Sequence, residues 1–306
     1  MGKIVVIGSF VMDMLAKLDS FPQNGQTIVG KSLQVLPGGK GANQAVSAAR
    51  QGAKVEMLGA VGADAYGDQF ISALSAEGIG IGGVQRAPKA PTAVGMIMLD
   101  ASGENRIAVI PGANHSYDAG HLESARGIIE GACLAMLQLE LTPGVTAAAL
   151  AMCNALGVPV MLDPAPAAPL GGEVFRTVTY FTPNETELAF YAGFPVDTDD
   201  AAKRAVGALL EKGVQSVVAT LGGRGAMVGD KAGIRLIPAY PAKPVDTVGA
   251  GDSFNGALAA RLAEGDSLDD GVRWANAAGA ISVTKSGGIP SMPDARQTRE
   301  FMEAHR

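Results

Sequence analysis

Short apolar segments alternate with longer helical patterns along most of this chain, and this alternation limits the folds open to it. A strand, a helix and a second strand in succession are typical of a parallel sheet with helices on both faces. The predicted strands are short apolar runs: Lys3–Ile7, Lys54–Ala60, Ala132–Leu137, Pro159–Leu162, Thr179–Phe181 and Ser216–Thr220. The predicted helices have apolar residues at helical spacing: Ala42–Gln51, Tyr66–Ala76, Thr146–Leu156, Glu185–Ala192, Asp200–Glu211, Ala250–Ala263 and Leu268–Val283. We therefore predict an α/β fold with a central, mostly parallel sheet covered by helices on both faces.

Two segments, Met12–Leu36 and Thr92–Ile110, interrupt this order because they alternate apolar and polar residues without a helix between strands. Such hairpin-like inserts favour a small antiparallel sheet outside the main one. No repeat and no linker divides the 306 residues. The prediction is a single domain, residues 1–306, with a small β-sheet lid formed by about 12–36 and 92–110.

The composition excludes several classes of protein. Hydrophobic residues make up 47% of the chain, enough for a sizeable core, so global disorder is excluded. The net charge is −6 and 5% of residues are aromatic, so the chain lacks the positive charge and stacking surface of a nucleic-acid-binding protein. The two cysteines, Cys133 and Cys153, are too few for a disulfide framework or a zinc site.

Two apolar stretches could be mistaken for a signal peptide or a membrane-spanning helix. Ile4–Gly8 is too short for the apolar core of a signal peptide and indicates a buried strand. Leu141–Leu162 lacks charge, but residues such as Pro143 and Gly157 interrupt it, whereas a bilayer span needs about 20 continuous apolar residues. We expect a helix through about Ala155 followed by a buried strand, and a cytoplasmic protein.

Two glycine-rich strings match nucleotide-binding motifs only in part. Gly78–Gly83 has the pattern G-x-G-x-x-G, yet it follows a helix and precedes none, whereas the dinucleotide fingerprint joins a strand to a helix. Gly38–Gly41 contains a lysine, but no Ser or Thr follows it as in a phosphate-binding P-loop. We predict that Gly78–Gly83 is a loop. If the protein binds a nucleotide, we expect neither of these two motifs to form the binding site.

The segment Asp246–Phe254 is the most informative, because small residues lead directly into the predicted helix Ala250–Ala263. The free N–H groups at the start of a helix attract an anion, helped by the helix dipole. Asp252 lies among these groups, and its carboxylate has two interpretations. It is either a general base for a group that attacks the anion, or a stabilising acid in the first turn. This segment alone leaves both open.

The segment Pro37–Ala45 is a second glycine-rich turn ahead of a helix. Its small residues would let backbone amides and the Asn43 side chain reach a polyhydroxylated ligand. The alternative is a glycine-rich turn with a solvated Lys40. Because two such turns each carry a polar reactive residue, we favour the ligand-binding interpretation.

These two segments resemble the signature segments of the ribokinase-like family of sugar kinases. Further matches follow in the order of that family, from about Lys3 to Pro293: Gly8-Ser9 with Asp13, Gln138–Glu140, Asn184–Glu187 and Thr220–Gly225. The resemblance implies a ribokinase-like fold and transfer of the γ-phosphoryl group of ATP to the 5-hydroxyl of a pentose, with ribose ranked first.

The resemblance also implies roles for individual residues, with Asp252 deprotonating the sugar hydroxyl. The amides that would stabilise charge on the transferring phosphoryl group are those of Gly249, Ala250, Gly251 and Asp252. The positions that match sugar contacts are Val11, Asp13, Gly39, Lys40, Gly41, Asn43, Glu140 and Asp252. Without the resemblance, Asp13 would be a loop carboxylate and Glu140 a charge at the end of a strand.

For ATP, the resemblance implies a second set of positions: Asn184, Glu187, Thr220, Gly222, Gly223, Gly225, Gly251 and Asn276. In the family, Asn184 would contact phosphate, Glu187 would hold a water of Mg²⁺ and Asn276 would flank the adenine. The alternatives are a helix N-cap at Asn184, a first-turn acid at Glu187 and a plain exposed side chain at Asn276.

A site for a monovalent cation is implied as well, and we expect K⁺ to activate the enzyme. Its matching positions are Asp246, Val248, Ser282, Lys285, Gly287 and Ser291. Most of them would bind the cation through backbone carbonyl oxygens, so the identity of their side chains is weak evidence for or against the site. Only Asp246 brings a charged ligand.

One position departs from the family pattern. Ribose-phosphorylating members usually have Gly-Ser-x-Asn-x-Asp, whereas Gly8–Asp13 has Val11 in place of the asparagine. Valine leaves a ribose hydroxyl without a partner, and an unsatisfied buried polar group costs about 1–3 kcal/mol. The family's deoxyribose kinases also have an apolar residue here, so 2-deoxyribose competes with ribose as the expected sugar.

Two other functions compete with that of a pentose kinase. A nucleoside kinase would need a pocket for the base, and the match of Gly38–Ala45 to ribose kinases argues against it. A non-catalytic sugar-binding protein would not need Asp252. The expected partners are a small-molecule sugar and ATP, without nucleic acid or membrane, and the Val-, Ile- and Met-rich lid predicts a homodimer through the lid.

Overall fold

The computed structural model describes residues 2–305 and contains two β-sheets flanked by helices. Its strands are β1 (Lys3–Ile7), β2 (Val11–Lys17), β3 (Ser32–Gly38), β4 (Lys54–Gly62), β5 (Gly80–Ala87), β6 (Val94–Leu99), β7 (Asn105–Ile110), β8 (Leu134–Leu137), β9 (Val160–Leu162), β10 (Tyr180–Phe181), β11 (Ser216–Thr220), β12 (Ala226–Asp230) and β13 (Gly233–Ile237). Its α-helices are α1 (Lys40–Arg50), α2 (Ala65–Ala76), α3 (Ala119–Ser124), α4 (Arg126–Ile129), α5 (Pro143–Ala155), α6 (Gly172–Thr177), α7 (Glu185–Ala192), α8 (Asp199–Glu211), α9 (Ala250–Glu264), α10 (Leu268–Ser282), α11 (Gly288–Ser291) and α12 (Ala295–Ala304).

The main sheet has the strand order β13-β12-β11-β10-β9-β8-β1-β4-β5. From β5 to β11 every neighbouring pair is parallel, while β12 and β13 extend one edge as antiparallel strands. At the centre, Ile4 is paired with Val55 of β4 and with Leu134 of β8. The prediction of a central, mostly parallel sheet is confirmed. The antiparallel edge was not predicted.

Alternate residues of β1 enter two separate hydrophobic cores. Ile4 and Val6 pack in the core that includes α1, α9 and α10, whereas Val5 and Ile7 pack in the core that includes α5, α7 and α8. Successive side chains of a strand point to opposite faces, so an uninterrupted apolar strand requires cover on both sides. The predicted helices on both faces are confirmed.

The second sheet has four strands in the order β3-β2-β6-β7 and lies apart from the main sheet. Two of its pairs are antiparallel, but β2 and β6 are parallel, with Asp13 opposite Gly95. The prediction of a purely antiparallel sheet is therefore wrong. The reason is the connectivity: β2 continues from β1, β6 follows β5, and β1 and β5 run in the same direction.

The glycine string Gly78–Gly83 is not the predicted loop, because the edge strand β5 begins at Gly80. Two of its glycines, Gly80 and Gly83, make room for side chains of β4. A Cβ at Gly83 would lie 1.9 Å from Leu58 Cδ2, and a Cβ at Gly80 would lie 2.0 Å from Glu56 Oε2. Glycine therefore marks close packing between strands here, which spacing alone does not distinguish from a turn.

The uncharged stretch Leu141–Leu162 contains α5 and β9, as predicted. Within residues 2–305, no helix is both long enough and apolar enough to cross a membrane.

Candidate active site

Polar side chains gather where three neighbouring strands of the main sheet end. Ser9 follows β1, Glu140 follows β8 and Asp163 directly follows β9. Because these strands are adjacent and parallel, their C-terminal ends lie at one edge of the sheet, the position at which open α/β sheets bind ligands. The first turns of α1 and α9 meet at this edge.

The turn before α1 is held against the end of β1. The backbone N–H of Lys40 donates to Glu140 Oε2 at 3.0 Å, and the Ser9 hydroxyl donates to the same oxygen. Gly39 has φ 85°, and a Cβ there would lie 2.6 Å from Val11 N. The close approach and the left-handed conformation both require glycine, which explains the glycine-rich sequence of this turn.

The start of α9 has the properties of an anion site. Its N-cap, Gly249, has φ 75°, and a Cβ there would lie 3.0 Å from Gly288 Cα. Within residues 2–305, the backbone N–H groups of Gly251 and Asp252 have no acceptor. Free N–H groups at the positive end of a helix attract anions. The Ala250 N–H, which was also predicted to stabilise the phosphoryl group, instead donates to Thr247 O at 3.2 Å.

Asp252 lies in the first turn of α9 and is 6% exposed. Its Oδ2 accepts a hydrogen bond from Asn43 Nδ2 at 2.9 Å, and its Oδ1 accepts one from Gln44 Nε2 at 3.0 Å. The carboxylate is therefore buried and held by two neutral amides rather than by a cation. A first-turn acid that serves only the helix does not need such a setting, so the geometry favours the base.

Lys40 supplies the positive charge of the site. Burial on its own lowers the pKa of the Lys40 ammonium, but four surrounding carboxylates reverse this and raise the pKa above its ordinary value. In decreasing order of effect these are Asp252, Asp163, Glu140 and Glu187. The ammonium therefore stays charged, and Lys40 is half-buried among these carboxylates.

Asp13 lies on β2 with its carboxylate packed against two glycines. A Cβ at Gly38 would lie 2.3 Å from Asp13 Oδ2, and a Cβ at Gly95 would lie 2.6 Å from Oδ1. Burial first, then the charges of Glu140 and Asp252, raise the pKa of Asp13 to about 7. A carboxylate crowded by like charges gains from a ligand that donates hydrogen bonds, and a sugar hydroxyl is such a ligand.

Val11 is two residues before Asp13 on β2, so both side chains are on the same face of the strand. Val11 is 6% exposed, and its Cγ1 would lie 3.4 Å from a Cβ at Gly95, the same glycine that Asp13 approaches. The apolar residue therefore borders the carboxylate predicted to contact sugar.

Three buried polar residues of the site were given no role from the sequence: Gln44, Gln138 and Asp163. Gln44 Nε2 donates to Asp163 Oδ2 at 2.7 Å, and Gln138 Nε2 donates to Gln44 Oε1 at 2.7 Å. The available signal was position, because Gln138 and Asp163 each directly follow a buried strand of the parallel sheet.

A cavity of about 410 Å³ lies between β11 and α10. It brings together six of the predicted nucleotide contacts: Thr220, Gly222, Gly223, Gly225, Gly251 and Asn276. Asn276 is 8% exposed, and its Nδ2 donates to Pro238 O at 3.0 Å. The alternative of a plain exposed side chain at Asn276 is therefore wrong.

A second cavity, of about 460 Å³, adjoins the first, since Thr220, Gly222 and Gly251 line both. Lys40 and Asp252 line the second cavity as well. A nucleotide whose base occupies the first cavity would extend its phosphates toward the free N–H groups of α9. The arrangement suits transfer of a phosphoryl group to a hydroxyl near Asp252.

Asn184 and Glu187 form a capping box at the start of α7. Asn184 Oδ1 accepts from the Glu187 backbone N–H at 2.9 Å, and Glu187 Oε2 accepts from the Asn184 backbone N–H at 2.8 Å. Both residues thus have the capping geometry named as the alternative. Asn184 also lines the second cavity.

The residues predicted to hold a monovalent cation come from two segments that meet. Asp246 Oδ1 accepts from the Val248 backbone N–H at 3.0 Å, and Oδ2 accepts from the Gly287 backbone N–H at 2.9 Å. Lys285 N donates to Ser282 O at 3.1 Å within the second segment, and Ser291 lies in the adjoining α11. Within residues 2–305, no cluster of three His, Cys, Asp or Glu side chains could hold a metal.

Asp252 thus lies in the first turn of a helix whose N–H groups are free, next to a cavity large enough for a nucleotide. This fold and site are those of a small-molecule kinase, which transfers a phosphoryl group from a nucleotide to a hydroxyl.

Comparison with known proteins supplies the family. The family described as pfkB family carbohydrate kinase matches residues 1–295. The chain is 37% identical to the ribokinase of Haemophilus influenzae over 302 residues, 98% of each chain. It is 34% identical to the deoxyribokinase of Salmonella typhi over 300 residues, again 98% of each. The structure of Arabidopsis thaliana ribokinase complexed with ribose and ATP superposes with a TM-score of 0.94 at 31% identity, covering 99% of both chains.

The chain belongs to the pfkB family of carbohydrate kinases, and it is an ATP-dependent sugar kinase. The family resemblance and the ribokinase-like fold predicted from the sequence are confirmed.

Proposed function

We propose that this enzyme transfers the γ-phosphoryl group of ATP to the 5-hydroxyl of ribose. The observation that carries the proposal is the position of Asp252, whose carboxylate is held by Asn43 at 2.9 Å while its own backbone N–H group is free at the start of α9. Asp252 therefore lies between the proposed sugar contacts and the free N–H groups at the start of α9, which we propose bind phosphate. The ribokinases among the relatives support ribose as the sugar.

In the proposed reaction, Asp252 accepts the proton of the 5-hydroxyl as the sugar oxygen forms a bond to the γ-phosphorus. The bond from that phosphorus to the leaving oxygen of ADP breaks in the same step. The N–H groups of Gly251 and Asp252 and the Lys40 ammonium stabilise the negative charge on the transferring group. Asp13 and Glu140 accept hydrogen bonds from the remaining sugar hydroxyls.

We propose Mg²⁺ next to Glu187 and Asn184. Glu187 Oε2 is used by the capping box, but within residues 2–305 its Oε1 has no hydrogen-bond donor, so it suits a metal-bound water. Mg²⁺ keeps several waters and is held largely by substrate phosphates, so a site with few protein ligands fits it. When bound, Mg²⁺ neutralises phosphate charge.

We propose K⁺ at the junction of the two segments that Asp246 connects. The donor set fits a monovalent cation, because one carboxylate and several backbone carbonyls provide hard oxygen ligands with little total charge. The residues that would hold it are Asp246, Val248, Ser282, Lys285, Gly287 and Ser291.

A second candidate substrate is 2-deoxyribose. The observation that favours it is Val11, which borders Asp13 and provides no hydrogen-bonding group. The deoxyribokinase relative, 34% identical, supports this alternative. A sugar with one hydroxyl fewer avoids leaving a buried hydroxyl unpaired.

We propose that the four-stranded sheet is a lid over the sugar. The register places Ile97, Ile107 and Val109 on the same face as Asp13. Ile107 and Val109 are 58% and 59% exposed. Closure over a bound sugar would bury this apolar face and keep water from the phosphoryl group.

We propose a homodimer through the same sheet. Its opposite face is also apolar and exposed, with Leu33 at 64% and Met96 at 54%. All six residues of the edge strand β7 are exposed. A sheet with two exposed apolar faces and an open edge suits burial against a second copy of the chain.

We also propose a cytoplasmic location. Cys133 and Cys153 are both free. Free thiols suit a reducing compartment, in which disulfides are rare.

A substrate screen tests the proposed function. ADP formation is measured with ATP and, in turn, ribose, 2-deoxyribose, other pentoses, hexoses and nucleosides, and Asp252→Asn is the background control. We expect the highest kcat/KM with ribose and the next highest with 2-deoxyribose. A preference for nucleosides would identify a nucleoside kinase. Sugar binding by calorimetry without turnover of any compound would identify a non-catalytic sugar-binding protein.

A further inference from the structure

Asp163 is a buried carboxylate to which the proposed reaction gives no role. It directly follows β9 and is 5% exposed, and its backbone N–H donates to Leu137 O at 2.9 Å. Burial raises the pKa of its carboxyl to about 7, against a lowering effect of Lys40. A buried ionisable group needs a hydrogen-bond partner. That partner is Gln44 Nε2, 2.7 Å from Asp163 Oδ2.

Gln44 connects this carboxylate to the proposed base. It lies in the second turn of α1 and is 1% exposed. Its Nε2 donates to Asp163 at 2.7 Å and to Asp252 at 3.0 Å. A side-chain amide has two donor protons, so Gln44 has none left to offer to a sugar or a phosphate. It is therefore not a substrate contact.

The surroundings permit one orientation of the Gln44 amide. A rotation by half a turn would place its carbonyl oxygen against the Asp252 carboxylate, an acceptor, and its N–H groups against the Gln138 Nε2 donor. In the observed orientation, the Gln44 carbonyl oxygen accepts from Gln138 Nε2 at 2.7 Å. Gln138 is 2% exposed and holds Gln44 from the end of β8.

This network determines how the base is presented. Asp252 receives one amide donor on each oxygen, from Asn43 at 2.9 Å and from Gln44 at 3.0 Å. Two donors on separate oxygens fix the plane of a carboxylate, and proton transfer depends on its direction. Asn43 is also a proposed sugar contact, whereas Gln44 is not, so Gln44 allows positioning to be tested separately from binding.

We propose that Gln44 is a positioning residue that fixes the plane of the Asp252 carboxylate, and that Asp163 anchors Gln44 in this orientation. The proposal rests on the proposed role of Asp252 as the base. It assigns Asp163 to the catalytic machinery through two hydrogen bonds, without contact with the substrate.

Steady-state kinetics with ribose and ATP test the role of Gln44. Gln44→Met keeps the length of the side chain and removes both donors. We expect kcat to fall by about 10- to 100-fold, because small errors in the position of a catalytic group have effects of this size. KM for ribose and ATP should stay within about 3-fold of wild type, since no substrate contact is lost.

The double variant separates positioning from a general structural effect. In an Asp252→Asn background there is no base to position, so Gln44→Met should change the residual kcat by less than about 2-fold. An additive loss, or a wild-type kcat in Gln44→Met, would overturn the proposal. Full activity in Asp252→Asn alone would instead overturn the proposed base, so the two failures are distinguishable.

A pair of Asp163 variants tests the anchor and does not depend on the folding of Gln44→Met. Asp163→Asn keeps an oxygen acceptor for Gln44, whereas Asp163→Leu removes it. We expect kcat of Asp163→Asn to be about 10-fold higher than that of Asp163→Leu, at similar KM, because only Asp163→Asn keeps the hydrogen bond that positions Gln44. Equal kcat in the two variants, at equal thermal stability, would overturn the role of Asp163.

Discussion

Asn43 donates a hydrogen bond from its side-chain amide to Oδ2 of Asp252 at 2.9 Å, although the two residues are 209 positions apart in the chain. The bond joins the first turn of α1 to the first turn of α9. Within residues 2–305, the other end of the same amide, Asn43 Oδ1, is buried without a donor. A buried acceptor without a partner is unfavourable. In the proposed sugar complex, a hydroxyl bound next to Asp252 would donate to Asn43 Oδ1 and supply the missing partner.

The role of Asp252 as the base leads to the first prediction. Asp252→Asn preserves shape and removes the proton acceptor, so sugar and ATP binding should persist while kcat falls by about 10²–10⁴-fold. Asp270→Asn is the matched control, because Asp270 is also a first-turn acid but is exposed on α10. Steady-state kinetics give kcat and KM for both variants, and we expect Asp270→Asn to keep the wild-type kcat. More than about a tenth of wild-type kcat in Asp252→Asn would refute the base.

The buried carboxylate of Asp163 leads to a prediction about stability and pH. Burial raises its pKa to about 7 from an ordinary value of 3.8. An acid with a raised pKa binds its proton more tightly in the folded protein, so its stabilising effect is lost as the pH rises from about 4 to about 7. Asp163→Asn does not titrate. The free energy of unfolding of Asp163→Asn relative to wild type should therefore increase across this range and then level off.

Urea denaturation at a series of pH values measures this difference. Asp100→Asn is the control, because a hydrogen bond from the Ser102 hydroxyl lowers the pKa of Asp100, the opposite direction. The free energy of unfolding of the control relative to wild type should show no increase over the same range. If Asp163→Asn behaves like Asp100→Asn, Asp163 is not a carboxyl with a raised pKa.

The glycine turn before α1 gives a third prediction. Gly39 has φ 85°, and a Cβ there would lie 2.6 Å from the backbone nitrogen of Val11. Gly39→Ala should therefore reduce the free energy of unfolding by about 1–3 kcal/mol, the usual effect of backbone strain. Gly144→Ala is the control: Gly144 lies in α5, a Cβ there would have open space within 4 Å, and the variant should gain about 0.4–1 kcal/mol. Urea denaturation compares the two, and a neutral Gly39→Ala would contradict the close approach.

The exposed lid sheet gives a fourth prediction. Light scattering at micromolar concentration should show a dimer for the wild type and a monomer for Met96→Lys, whose charge would enter the proposed interface. Leu236→Lys is the control, since Leu236 is 38% exposed on β13 in the main sheet. A monomeric wild type would refute the dimer and leave the lid unaffected.

Local patterns predicted much of the fold. The helical spacing in Asp200–Glu211 and the apolar run of Lys3–Ile7 are properties of short segments, so α8 and β1 followed from the sequence. The parallel pairing of β2 with β6 did not. It joins Asp13 to Gly95, which are distant in the chain, and depends on the directions of β1 and β5. Periodicity within one segment contains no such information.

The site likewise contains residues that the local sequence indicated and residues that only long-range contacts define. Asp252 was found because small residues precede a helix start, and its neighbours were assigned through the resemblance to sugar kinases. Gln44 was not, because its role comes from hydrogen bonds to Asp163 and Asp252, at separations of 119 and 208 residues. Nothing in the residues around Gln44 specifies these partners. Only the packing of α1 against the ends of the strands brings them together.

The last prediction concerns Val11, because it tests the substrate directly. Val11 is buried on the face of β2 that also presents Asp13, at the position where the resemblance to the ribokinase-like family leads us to expect asparagine. An amide at this position would pair with a ribose hydroxyl that 2-deoxyribose lacks. Val11→Asn should raise kcat/KM for ribose relative to 2-deoxyribose by about 10-fold, which corresponds to about 1–2 kcal/mol for a recovered hydrogen bond.

Val11→Leu is the control for this prediction, since it changes the shape of the pocket without adding a hydrogen-bonding group. Steady-state kinetics with both sugars give the ratio of kcat/KM for each variant. A bridging water in the wild type would reduce the size of the gain but not its sign. If the ratio in Val11→Asn is unchanged, or equals that in Val11→Leu, then Val11 does not contact the discriminating hydroxyl. The preference between the two sugars would then have to arise from Asp13, Asn43 and Glu140, which can hydrogen-bond to either sugar.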